Sequence, residues 1–140
     1  MARYVIDAPT LLHVVDNELR IDPEVRLVAP GSIRSEALQL LLRDVDAGTR
    51  TEKDALWTHE RITECKMRLL ADRVSRATAW RIAREQGWDT LRDAEYLAIT
   101  RLQADALVTV DADLAAKAHD VVPVAPLGTL LGGEHARKQG

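Results

Sequence analysis

Four acidic residues stand where the neighbouring sequence is apolar. Asp7 closes the run Tyr4-Val5-Ile6, Asp111 closes Leu107-Val108-Thr109-Val110, and Glu36 and Asp93 fall on the apolar faces of two predicted helices. Burying even a neutral polar group without a partner costs about 2–7 kcal/mol, and an unpaired carboxylate costs more. Four such residues call for a compensating cation. Oxygen-only ligands suit magnesium or manganese, and no Cys/His cluster offers a zinc site. A divalent ion held this way activates water, neutralises charge on a phosphoryl group and stabilises the leaving oxygen, which is the chemistry of phosphodiester hydrolysis.

Helix phase brings the two helical acids into the same set. Glu36 has Ile33 three residues before it and Leu40 four after, so it shares the face that packs on a sheet. Asp93 is followed at the same spacings by Tyr96 and Leu97. It also lies in the first turn of its helix, where the dipole favours a negative charge by about 0.3–1 kcal/mol. Purely structural explanations stand beside the metal site. A strand-end Asp serves as a turn or cap residue, the dipole accounts for Asp93, and Arg34 or Arg92 is available to pair with either helical acid.

The elements that position these residues alternate. A short strand at 3–7 leads into a helix over 9–19 opened by Pro9, and a second strand at 25–29 leads into a helix over 33–47 with Ser32 as its cap and Gly48 as its stop. Thr51 opens another helix that runs to 64 or 66, carrying Ala55, Leu56, Ile62 and Cys65 on its apolar side. Residues 67–70 read equally as helix or strand. From Asp72 a helical pattern sets Val74, Ala77, Trp80 with Ala79, and Ile82-Ala83 inward and ends at Gly87. A helix over 91–103, a strand at 106–110, a short helix at 113–119 and a strand at 121–124 complete the order, with Pro123 placing the last strand at an edge. This alternation predicts an α/β fold with a mainly parallel central sheet and helices on both faces. Ligands of such sheets bind beyond the carboxyl ends of the strands, where Asp7 and Asp111 both fall.

Composition sets the frame. A chain of 140 residues suits one domain, expected over 1–131 with a polar tail at 132–140. The apolar share of 46% and charged share of 29% are those of an ordinary soluble protein, and no apolar run approaches the roughly 20 residues that span a bilayer. The first strand begins at once and leaves no room for a signal peptide, and the single Cys65 allows no internal disulfide, so a cytoplasmic location without a membrane partner is expected. A net charge of −3 argues at first against a nucleic-acid partner. Yet residues 51–84 carry eight Lys/Arg against five Asp/Glu, and acids inside a metal site are neutralised when the ion binds. That basic stripe is able to track a phosphate backbone, or it is a solvated helix face with i,i+4 pairs such as Glu64/Arg68.

Other reactive residues show no productive spacing. His13, His59, His119 and His135 are scattered, so they read as surface or packing residues. Trp57, Trp80 and Trp88 are large anchors for the core or for a partner surface. There is no glycine-rich phosphate loop and no Gly-x-Ser-x-Gly elbow.

The strings Tyr4-Val5-Ile6-Asp7-Ala8, Ala29-Pro30-Gly31-Ser32-Ile33-Arg34-Ser35-Glu36-Ala37-Leu38, Leu91-Arg92-Asp93-Ala94-Glu95-Tyr96-Leu97-Ala98 and Val108-Thr109-Val110-Asp111-Ala112-Asp113-Leu114 occur in this order. Together they resemble the PIN-domain ribonucleases, above all the toxins of bacterial VapBC toxin–antitoxin pairs, over about residues 3–131. The resemblance implies a PIN-like three-layer sandwich in which Asp7, Glu36, Asp93 and Asp111 hold Mg²⁺ or Mn²⁺, with Asp113 assisting. It further implies an endoribonuclease acting on tRNA, rRNA or mRNA, a homodimer, and a cognate VapB-like antitoxin wrapped over the cleft. Members usually carry Ser or Thr two residues after the first Asp. Here Pro9 takes that place and Thr10 follows it. Thr109 matches the hydroxyl residue two before the fourth acid, where it bonds either a carboxylate or a scissile phosphate, and Thr10 and Thr109 are expected beside the substrate. Two rivals remain: a haloacid-dehalogenase-type phosphatase, which wants an Asp where Pro9 stands, and a non-catalytic PIN-like binding or regulatory module.

Overall fold

The β-branched and aliphatic run before Asp7 forms the central strand of the molecule. In the computed structural model, which describes residues 1–132, β1 (Ala2–Ile6) lies between β2 (Val25–Pro30) and β4 (Ala106–Val108). The edges are β3 (Arg68–Leu70) beside β2 and β5 (Val124–Ala125) beside β4, and every pairing is parallel. A parallel sheet covered on both faces needs continuous apolar strands rather than alternating ones. Val5, Ile6, Val28, Leu107 and Val108, all buried, meet that demand. The polar tail from 133 onward, with His135, lies outside the described residues.

Among the described residues six helices connect the strands, α1 (Ala8–Asp16), α2 (Ile33–Asp46), α3 (Glu52–Glu64), α4 (Arg73–Gln86), α5 (Arg92–Gln103) and α6 (Ala112–Ala118), and a 3₁₀ turn at Leu127–Leu130 follows β5. α5 lies across β1, β2 and β4 with α4 packed on it, while α1, α2 and α3 pack on one another. Right-handed crossovers put these two groups on opposite faces of the sheet. Local signals end the helices as expected: Thr51 caps α3 through the Asp54 amide, Asp72 caps α4 through the Ser75 amide, and Gly48 and Gly87 take positive φ of 77° and 73°.

Several expectations are corrected. Helix α1 stops at Asp16 rather than 19, because Asn17 takes the cap position and Glu18 turns left-handed at φ 50°. Ser32 precedes α2 but makes no cap bond, its hydroxyl turning to Glu36 instead. β4 ends at Val108, not 110, since the Val110 amide is taken by a side chain. The amides of Val121 and Val122 close the end of α6 on the Ala118 carbonyl, so β5 begins only at Val124, after Pro123. Residues 68–70 settle as strand.

The inward face of α4 differs in part: Ala79, Ile82 and Ala83 face inward as expected, but Val74, Ala77 and Trp80 do not. Ser75, Thr78, Ala79, Ile82 and Ala83 are buried, whereas Val74 and Trp80 are 61% and 60% exposed. Close packing of α4 on α5 selects small side chains, which a pattern of large apolar residues does not reveal. Leu56 and Trp57 likewise face outward from α3. Glu64 ends α3 and Arg68 lies on β3, so the expected helical pair has no helix to form on. Arg34 donates to the Cys65 carbonyl at 2.8 Å and closes the end of α3 rather than pairing with Glu36. Arg50, with a side chain only 15% exposed, joins Asp16 at 2.8 Å, Asp54 at 2.9 Å and Asp44 at 3.4 Å, tying together α1, α2 and α3. Among the described residues no helix is long and apolar enough to cross a membrane.

Candidate functional site

Asp7 follows β1 directly and caps α1, so strand and helix both fix its position. It is 3% exposed, and its carboxylate is held by hydroxyls on two sides. Thr10 donates to Oδ1 through its hydroxyl and, at 3.3 Å, its amide, while the Thr109 hydroxyl donates to Oδ2 at 2.7 Å. Burial pushes the Asp7 carboxyl above its ordinary range, and these hydrogen bonds oppose the rise. The same hydroxyls bind the segment after β4. Thr10 accepts from the Val110 amide at 3.0 Å and Thr109 from the Asp111 amide at 3.0 Å.

The other three acids are half-buried, and each has a partner. Glu36, in the first turn of α2, accepts from the Tyr96 hydroxyl at 2.7 Å and from the Ser32 hydroxyl at 3.2 Å. Asp93, in the first turn of α5, meets Lys117 at 3.0 Å and its neighbour Arg92 at 3.6 Å. Asp111 caps α6, accepting from the Asp113 amide at 2.9 Å and the Leu114 amide at 3.4 Å. The phenol of Tyr96 is pushed far above its ordinary value, first by burial and then by the adjacent Glu36 and Asp7 charges.

All four carboxylates line one cavity of about 280 Å³ at the carboxyl edge of the sheet. Arg43 and Arg92 line it with them. Among the described residues, however, no three acidic, imidazole or thiol groups stand close enough to form a ready cage for one ion. The oxygen-only donor set nevertheless fits a hard divalent cation, because Mg²⁺ keeps several waters and takes only one or two protein carboxylates together with substrate oxygens. Asp113 does not join the cavity: it is exposed, and its contribution is the backbone cap on Asp111. Thr10 and Thr109 do not line it either. Thr10 is fully buried and positions the Asp7 carboxylate, and Thr109 takes the carboxylate-bonding alternative expected for it. The burial argument applies in full only to Asp7.

Sequence reasoning passed over Tyr96, Arg43 and Lys117 as site residues. Arg43 lies seven residues after Glu36, two turns along the same helix face, which is the signal that would have found it. Lys117 had no such signal, because its approach to Asp93 depends on how α6 packs beside α5. His13, His59 and His119 do not line the cavity.

No protein-family model and no curated protein sequence matches the chain. Solved structures similar to it include the following two. The crystal structure of PAE2754 from Pyrobaculum aerophilum aligns with TM-score 0.72 at 24% identity, covering 92% of each chain. The structure of VapBC-1 from nontypeable Haemophilus influenzae aligns with TM-score 0.59 at 15% identity, covering 89% of this chain and 97% of that one. At these identities the likeness concerns the fold, which is a PIN-like α/β sandwich around an all-parallel five-stranded sheet.

Proposed function

We propose that this chain is a metal-dependent endoribonuclease hydrolysing phosphodiester bonds in RNA, and that it is the toxin of a type II toxin–antitoxin pair. It would act in the cytoplasm as a homodimer and be silenced by a VapB-like antitoxin. The observation that carries the reading is the convergence of Asp7, Glu36, Asp93 and Asp111 on a single cavity at the carboxyl edge of a PIN-like sheet. The similarity to a VapBC structure supports the toxin–antitoxin part.

In this reading Asp7 and Asp93 would be the central ligands of Mg²⁺ or Mn²⁺, with Glu36 and Asp111 completing the acidic lining of the same cavity. The ion supplies Lewis acidity to the phosphoryl group and to the attacking water. The chain itself orients and selects. Thr10 and Thr109 fix both oxygens of Asp7, and Tyr96 fixes Glu36. Arg43 and Arg92, lining the same cavity, offer guanidinium groups to the phosphate oxygens of an incoming strand. The acidic net charge is compatible with an RNA substrate because these cations stand at the cavity itself.

Asp7→Asn and Asp93→Asn are expected to remain folded while losing RNA cleavage and growth inhibition; cleavage at the wild-type level by both variants sinks the assignment. The phosphatase reading loses ground at Pro9, which lines the cavity where a second acid would be required. The non-catalytic module keeps one observation in its favour, that every one of the four acids already has a donor. Calorimetric titration with Mn²⁺ separates the two, since a binding module shows no uptake that depends on Asp7 and Asp93.

A further inference from the structure

Glu95 differs from the other acids of the molecule. Among the described residues, every other buried or half-buried carboxylate accepts a hydrogen bond or an ion pair. The half-buried Glu95 carboxylate has neither. Arg76 is near enough to act on it electrostatically, but that guanidinium donates to the Ala71 carbonyl at 2.8 Å. A carboxylate partly withdrawn from water without a donor costs stability and returns nothing to the fold.

Glu95 lines a second cavity, of about 200 Å³, with Ser32, Ser75, Arg76, Leu70 and Ile99. At about 30 Å³ per water this is room for several waters or one planar ring. The cavity sits at the carboxyl ends of β2 and β3, on the same sheet edge as the acidic cavity. The two share a wall. Ser32 lines the second cavity and donates to Glu36, which lines the first; Glu95 and Tyr96 are consecutive on α5 and line one cavity each.

We propose that this second cavity receives the unpaired base next to the scissile phosphate, and that Glu95 selects guanine there. The inference rests on the RNA-cleaving reading given above. Single-stranded RNA is read on the Watson–Crick edges of unstacked bases. Guanine alone presents two adjacent donors on that edge, the N1 imino and N2 amino groups, and a carboxylate accepts both in a parallel fork. Adenine and cytosine offer only an amino group beside a ring acceptor, and the imino group of uracil lies between two carbonyl oxygens that repel a carboxylate. Arg76 supplies donors for guanine O6, and Leu70 and Ile99 provide apolar surface for the ring.

The test maps the RNA ends generated in total cellular RNA on inducing the wild-type chain, Glu95→Gln and, as blank, Asp93→Asn. Wild type is expected to leave ends with guanine at one position flanking the cut, and Glu95→Gln to lose that preference by about tenfold or more, the scale of a forked base contact. A synthetic RNA carrying a mapped site, with that guanine replaced by inosine, removes the N2 amino group without altering the protein. Its cleavage by wild type should fall by a similar factor. Ends that depend on Asp93 but show no guanine preference, a preference unchanged in Glu95→Gln, or equal cleavage of guanine and inosine sites each overturn the subsite alone. No Asp93-dependent ends at all overturn the nuclease reading and the subsite with it.

Discussion

The Thr10 hydroxyl accepts a hydrogen bond from the Val110 amide at 3.0 Å across 100 positions of sequence, while giving its own proton to Asp7. One hydroxyl therefore both terminates β4 and aims the most buried carboxylate of the site. Thr10→Val keeps the shape but removes both bonds. The expected cost is about 1–3 kcal/mol in urea unfolding, with Mn²⁺ affinity lower by about tenfold, and Thr10→Ser should restore both. Unchanged affinity in Thr10→Val would show that Asp7 needs no such aiming.

Asp7→Asn should raise the melting temperature at neutral pH even as it removes activity. The Asp7 carboxyl is raised above 3.8 in the folded state, chiefly by burial, so the folded state binds its proton more tightly than the unfolded chain does. The resulting penalty is absent below pH 3.8, grows as pH rises through the folded value, and is complete above it. An amide carries no charge, and the Thr10 and Thr109 hydroxyls can serve it as well as a carboxylate. The Tm gain should therefore vanish in acid; a variant less stable than wild type at pH 7 contradicts this account.

The legibility of this site in the sequence varied with the physics behind each residue. Asp7 and Asp111 were visible because a strand end is marked by where an apolar run stops. Glu36 and Asp93 were visible through helix phase. The Thr109 bond to a carboxylate was one of two readings of its motif, but the Thr10 part of the Asp7 network was not visible, because Thr10 is a buried hydroxyl whose partner lies 100 residues away, and no local pattern encodes that distance. Similarly, the inward face of α4 is legible at Ala79, Ile82 and Ala83 but not throughout: Val74 and Trp80 look like core, yet Ser75 and Thr78 are buried because helix contact with α5 rewards small side chains over large ones. Glu95 passed as an ordinary polar residue, since its lack of a partner is a property of space and not of sequence.

Tyr96 offers a spectroscopic test. Its hydroxyl donates to Glu36 at 2.7 Å from a side chain 2% exposed, and burial with the neighbouring negative charges opposes its ionisation. On alkaline titration followed by absorbance, one of the two tyrosines should ionise only when the fold is lost. Tyr96→Phe should abolish that delayed phase and cost about 1.5–3 kcal/mol, the scale of a hydrogen bond to a charged group. A Tyr96 that titrates freely in the folded protein contradicts the bond.

Arg50 holds three carboxylates from the ends of three helices. Arg50→Met leaves them facing one another, for an expected loss of about 1–2 kcal/mol given that the acids are partly exposed. Arg50→Lys keeps the charge but lacks the planar fork, so it should recover only part of the loss. Thermal melts at low and high salt would read both effects, and full recovery by Lys would reduce the contact to simple charge.

The placement of Thr109 and Val110 against Asp7 and Thr10 also sets a schedule for synthesis. A nascent chain that has emerged only as far as α5 holds Asp7, Glu36 and Asp93 but has no β4 to pair with β1, and hence nothing to supply the Thr109 bond or the cap at Asp111. The acidic cavity is completed by the segment from β4 to α6, through contacts of high sequence separation whose loop-closure entropy must be met first. A ribosome making this protein therefore carries an unfinished centre until β4 and Asp111 have emerged.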